Sequence, residues 1–209
     1  MHHVSAIFVM FFLMAVSSTV HGGQGTKSPL ERKNVVLCGS ALDAYSGLNE
    51  LKGLWRGVGE GKWGTSEAEK RFASILDGKA ICRDGRSVYP KQESNPAGET
   101  HLSHSLFSLT EEGTVLSLSE YDNEGFIAHY ALDLATSVAN RSWVFELVEG
   151  DNLPPNFSAR LTLSSTEKDQ YTETFELDFS GKGYVTYLIN RFSRASDQLA
   201  PGCGVYLAD

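Results

Sequence analysis

Beyond residue 22 the sequence contains no methionine, because Met1, Met10 and Met14 are the only three. If the N-terminal segment is removed, a flexible, Met-lined binding surface is excluded. Clusters of Lys and Arg are also missing. With 18 basic against 26 acidic residues the formal net charge is −8, and an acidic chain without a basic patch disfavours nucleic acid and anionic membrane as partners. No Gly-x-Ser-x-Gly elbow, Cys-x-x-Cys pair or phosphate-binding Gly loop leading into a helix occurs, which removes the usual forms of serine-hydrolase, dithiol and nucleotide chemistry. No histidine follows His129.

Long hydrophobic runs are scarce. The one at Val4 to Val16 is too short to cross a hydrocarbon core of about 30 Å as a helix. No charged side chain precedes Lys27, and Ser17, Ser18, Val20 and Gly22 suit a cleavage site. Residues 1–22 are therefore predicted to be a signal peptide and 23–37 a flexible leader, with 38–209 a single domain that is secreted or periplasmic and carries no stable membrane anchor.

An exported chain can form disulfides. Of the three cysteines, Cys38 and Cys203 flank the patterned region and are expected to pair. Cys82, which ends the stretch Lys79–Cys82, is expected to be a small buried hydrophobe. The triplets Asn140-Arg-Ser142 and Asn156-Phe-Ser158 match the glycosylation sequon.

What the chain does contain is a period of two. Ser40 to Leu51 suggests a short helix, and from Gly53 onward apolar and polar residues alternate. Trp143, Phe145 and Leu147 form one such set; Phe157, Ala159, Leu161 and Leu163 form another. Tyr171, Phe175, Leu177 and Phe179 make a third, and Phe126, Ala128, Tyr130, Leu132 and Leu134 a fourth. Such patterns are half-buried antiparallel strands. Evenly spaced short strands indicate a closed barrel or a sandwich. Ser66-Glu-Ala-Glu69 resembles a capping box, suggesting a helical turn before a strand through Phe72 to Cys82.

Three tripeptides place Gly third between strands: Glu111-Glu-Gly113, Asn123-Glu-Gly125 and Gly181-Lys-Gly183. Three-residue hairpins are predicted at each. Their register sets Leu118 opposite Tyr130, His104 opposite Glu120, and Glu173 opposite Arg191.

The most informative stretch is Gly53-Leu-Trp55-Arg-Gly57-Val-Gly59-Glu-Gly61-Lys-Trp63. One face of that strand is nearly bare between two indoles. Either the strand bends sharply or another group comes close to its backbone. Here the sequence resembles the calycins, the superfamily of lipocalins, fatty-acid-binding proteins and nitrobindin-like barrels. The Gly53-x-Trp55 start follows a short helix, Arg191 and Arg194 close the last strand pattern, and Thr172 to Tyr184 is similar to a bacterial calycin-like family of unknown function. The resemblance covers residues 50–195. It implies an all-β fold, a single antiparallel up-and-down barrel of eight to ten strands with a short N-terminal helix. It also implies an arginine laid over Trp55. Haem ligation of the nitrobindin type needs a His near the last strands, so no cofactor is expected.

The leading functional expectation is a small, largely apolar molecule bound inside the barrel. Its binding residues would be Trp55, Gly57, Gly59, Gly61, Tyr130, Phe145, Glu173, Phe175 and Arg191, with the glycines keeping one wall open. One alternative is an isomerase, cyclase or lyase using His104 with Glu120 or Glu173. Another is a non-enzymatic interaction module whose core is filled. His101 and His104, three apart, face opposite sides of a strand, so no metal site is expected.

Overall fold

The computed structural model describes residues 39–196, apart from 111 and 140, together with Cys203. The chain opens with helix α1 (Ala41–Leu48) and a 3-10 turn (Asn49–Leu51). The strands are β1 (Gly53–Gly61), β2 (Gly64–Ile75), β3 (Ala80–Tyr89), β4 (Glu99–Leu109), β5 (Leu116–Asp122), β6 (Ile127–Leu132), β7 (Ser142–Asp151), β8 (Ser158–Glu167), β9 (Gln170–Asp178) and β10 (Val185–Ser196). Each pairs antiparallel with the next, and β10 returns to β1, closing a ten-strand barrel. Closure leaves no free sheet edge.

Helix α1 begins where the sequence places it. The Ser40 hydroxyl accepts the Asp43 N–H at 3.1 Å, which satisfies one orphan donor of the first turn. Its buried face is Ala41, Ala44, Tyr45 and Leu48, and it packs against β4 and β5. Two long-range bonds fix it as a plug: the Tyr45 hydroxyl donates to Gly78 O at 2.7 Å, and Trp143 Nε1 donates to Ala44 O at 3.0 Å. Beneath the plug lie Trp55, Phe72, Phe107, Leu116, Phe145, Leu163, Tyr171 and Phe192, all buried.

The arginine over Trp55 is Arg194. It faces Trp55 in the β1–β10 ladder, with its guanidinium 4.1 Å from the ring centroid. It also donates to Glu50 O at 2.8 Å and Lys52 O at 2.5 Å. The indole N–H donates to Leu51 O at 2.7 Å. One cation therefore joins the end of the helical lead-in to both edges of the closure seam.

Several expectations give way to tertiary structure. Residues 66–69 are not a helical turn; they lie inside β2, whose alternation buries Ser66, Ala68, Lys70 and Phe72. The run from Phe72 to Cys82 is two strands, broken by a 3-10 turn at Leu76–Gly78. Cys203 bonds to Cys82, with Cα atoms 6.1 Å apart, in place of the expected Cys38 partner; Cys38 lies outside the described residues. Cys82 is on the outer face of β3 and fully buried. An apolar flank alone could not distinguish a packed thiol from a bonded one.

Of the three Gly-third turns, only the middle one closes as read. Asp122 N–H donates to Phe126 O at 3.3 Å, and Leu118 sits opposite Tyr130. At the first, Thr110 closes on Val115 rather than Thr114, because its hydroxyl accepts both the Thr114 and Val115 N–H groups at 3.2 Å. The slip pairs Ser105 with Glu120 and His104 with Tyr121. It turns Phe107 inward against Phe72 and Phe145, which buries more apolar surface than Leu106 would. At the last, Leu177 pairs with Val185, so Ser180 does not close on Tyr184; a bulge at Tyr187 then shifts the ladder by one, and Glu173 faces Asn190 while Arg191 faces Thr172. That bulge aims the Tyr187 hydroxyl at Trp63 Nε1, 2.5 Å away.

Candidate functional site

Ladder register assigns every inward side chain, and burial along the inner face differs between the two ends. Toward α1 the inward residues are covered. Toward the opposite end Leu147, Phe175, Leu188, Ser103, Glu120 and Asp122 face inward yet are only half-buried. Glu120 retains 26% side-chain exposure while facing the interior, whereas Arg83, beside it, retains 1%. Solvent therefore reaches part of the inner face beyond a polar layer, while Ser66, Tyr89, Ala159 and Leu177 on the same side of that layer stay buried.

That layer is built on Arg83. Its neighbours in sequence, Cys82 and Asp84, sit on the outer face, so β3 delivers Arg83 to the interior between β2 and β4. Nη1 donates to Glu173 Oε2 at 2.8 Å, Nη2 to Glu120 Oε2, and Nε and Nη2 to the Ser105 hydroxyl at 3.3 and 3.1 Å. Ser105 in turn donates to Glu120 Oε2 at 2.8 Å. Lys70 Nζ stands 3.6 Å from Glu173 Oε1, and Asn190 Nδ2 donates to the same oxygen at 3.4 Å. Burial alone would raise the Glu173 carboxyl, but Lys70 and Arg83 pull it below the usual carboxylate range. Burial alone would lower the Arg83 guanidinium; Glu173 and Glu120 hold it above its ordinary value. Both stay ionised, each compensated by the other.

Around this layer some polar atoms are unused. Glu120 Oε2 carries every bond that carboxylate makes, so Oε1 has no partner among the described residues. Tyr130 is 4% exposed and its hydroxyl makes no hydrogen bond there either. Burial first, then the Glu120 charge, push that phenol well above its ordinary value. The Tyr171 hydroxyl and Asn190 Oδ1 are fully buried without partners among the described residues. Ser66 Oγ lies near the Tyr89 hydroxyl, outside hydrogen-bonding geometry.

The rim carries a second group. His101 Nε2 stands 3.2 Å from Glu99 Oε1, while Nδ1 contacts Glu124 Oε1. The bond to Glu124 is the main reason that this imidazole is raised to about 9, against the opposing effect of its burial. These residues offer three potential metal-ligand atoms. The two carboxylates grip different ring nitrogens, however, which is the geometry of a clamped imidazolium rather than of one ion held by one nitrogen.

The predicted site residues divide accordingly. Glu120, Tyr130, Glu173 and Phe175 do meet in the interior, at or above the polar layer. Trp55 and Phe145 face inward too, but they belong to the packed floor at 1% and 0% exposure. His104 does not join them: it is on the outer face, with Nδ1 2.7 Å from Asp84 Oδ1, so the predicted His104–Glu120 pair does not form. Arg191 is likewise outside, bonded to Glu60 at 2.9 Å. Gly57, Gly59 and Gly61 face inward, but their room is taken. A Cβ at Gly59 would lie 2.5 Å from Ser66 Oγ and closer still to Asn190 Oδ1, and one at Gly61 would lie 2.5 Å from Tyr187 O. The glycines permit close approach of neighbouring groups. Sequence reading missed Lys70, Arg83, Ser105, Asp122 and Asn190. Ile81-Cys-Arg83 held a usable signal, since an inward Ile81 carries Arg83 inward by parity.

No family model and no curated protein matches the sequence. Among solved structures, the fold is similar to that of Rv2717c from M. tuberculosis, with a TM-score of 0.52 and 17% identity over 77% of this chain and 99% of that one. At that identity the likeness is one of fold.

Proposed function

We propose that this chain is an exported, calycin-like barrel that binds a small, largely apolar molecule in its interior. The observation that carries the reading is a partly exposed stretch of the inner face beyond Arg83. Beyond Arg83, Glu120, Asp122, Leu147, Phe175 and Leu188 face inward and stay partly exposed, while Ala128, Ala159 and Leu177 beside them are buried. A pocket with apolar walls and few polar groups at its base is the usual form of a small-molecule site. Leu147, Phe175, Leu188 and Ala128 supply the walls; Glu120 and Tyr130 supply the polar base. Gly53-x-Trp55 covered by Arg194 agrees with the calycin resemblance, and that superfamily commonly uses its barrel interior for ligands. A barrel fold serves many functions; the partly exposed inner face is what favours a ligand here.

Native mass spectrometry of protein purified from its own host tests it. A retained mass corresponding to a small molecule, lost on mild denaturation, is expected. An apo mass at every activation energy, together with no saturable uptake of neutral apolar compounds, would count against it. N-terminal sequencing of the same material should begin near Gly23; an intact Met1 would remove the export half of the proposal.

A further inference from the structure

The interior groups that a ligand could reach accept hydrogen bonds far better than they donate them. Lys70 and Arg83 are consumed: Lys70 lies against Glu173, and Arg83 is divided between Glu173, Glu120 and Ser105. Both are almost completely buried, at 7% and 1% exposure. Above them β5 presents two carboxylates inward at positions two apart, Glu120 and Asp122. Glu120 Oε1 is unpartnered among the described residues. Asp122 uses Oδ1 for the Glu124 and Phe126 N–H groups at 2.9 and 3.0 Å, which leaves Oδ2. From the next strand Tyr130 faces inward opposite Leu118, more than nine-tenths buried, its hydroxyl without a hydrogen-bond partner among the described residues and within electrostatic reach of Glu120 and Asp122.

An anionic head placed here would meet Glu120 and Asp122 with both nearby cations already neutralised. A hydroxyl would use one acceptor and leave a carboxylate oxygen unsatisfied. A protonated amine presents two or three donors and a positive charge to Glu120 Oε1, Asp122 Oδ2 and the Tyr130 oxygen together. Resting on the interior-binding reading above, we infer that the ligand is an apolar amine, its ammonium held between Glu120, Asp122 and Tyr130 and its carbon body against Leu147, Phe175 and Leu188.

Displacement of a neutral fluorescent probe by decylamine, decanol and decanoate tests this on the mature protein. The amine should compete about tenfold or more better than the alcohol, with decanoate weakest. Glu120→Gln should bring the amine-to-alcohol ratio close to one. Asp122→Asn, which keeps the turn-capping oxygen, should lower it severalfold and serves if the first variant fails to fold. Probe uptake with alcohol or carboxylate competing as well as the amine would overturn the amine inference and leave interior binding standing. Absence of any probe uptake would remove both.

Discussion

Trp55 and Arg83 mark two kinds of buried residue, one legible in the sequence and one not. Trp55 stands in a recognisable Gly-x-Trp start, and its cover, Arg194, was one of two candidates. Its indole is buried, bonded to Leu51 O and edge-on to Tyr171 with centroids 4.9 Å apart. Trp55→Ala should cost about 3–5 kcal/mol in denaturant titration, the usual range for a buried aromatic; a loss under about 1 kcal/mol would mean an exposed ring. Arg83 has no motif. It is legible only through parity, and the capping-box reading of 66–69 obscured the strand that pairs with it. Arg83→Leu removes the cation that Glu120 and Glu173 share and should cost about 3–5 kcal/mol. The pH dependence has a definite sign. Because the folded Glu173 carboxyl is depressed, its contribution is present above the ordinary carboxylate range and is lost as the pH falls through the depressed value. Unfolding midpoints followed into acid should show that loss in the parent.

At the scale of strands and turns, alternation was readable while register was not. The β7, β8 and β9 patterns fall on the predicted strands, since each has a continuous apolar face. Two of the three hairpins depend instead on a single hydroxyl or a single bulge. Thr110 Oγ1 sets one register and Tyr187 the other, and each slip moved a predicted site residue, His104 and then Arg191, to the outer face. The glycine row shows the same limit: its bareness was evident, but what fills it was not. Gly59→Ala should destabilise by about 1–3 kcal/mol, as overpacking does, because its Cβ would press on Ser66 Oγ and Asn190 Oδ1. Unchanged stability would place those side chains elsewhere. His101 makes a further test at the rim, where it ties β4 to the β5–β6 turn. Its folded value near 9 exceeds the ordinary value, so the clasp stabilises fully below about pH 6.5 and is lost as the pH rises through about 9. Urea midpoints should fall across that window in the parent and stay flatter in His101→Gln.

For the whole molecule, the barrel class and its helical lead-in were legible because they follow from alternation, spacing and one motif. Which inward residues stay partly exposed was not, because that depends on where α1 docks and where the polar layer lies. The Cys82–Cys203 bond ties β3 to the tail across 121 residues of chain. Its reduction should cost about 2–5 kcal/mol by the usual chain-constraint argument, and Cys38 should stay unnecessary for that difference. The central claim is that solvent-accessible space above the polar layer takes up a small molecule. Leu188, inward and half-buried on β10, gives the most direct test. Leu188→Trp should fill that space and weaken uptake of a neutral apolar fluorescent probe by about tenfold or more, with the β-sheet circular dichroism unchanged. The parent should bind the probe saturably, one per chain. A parent without saturable uptake, or a Leu188→Trp variant that binds as tightly as the parent, would contradict the account.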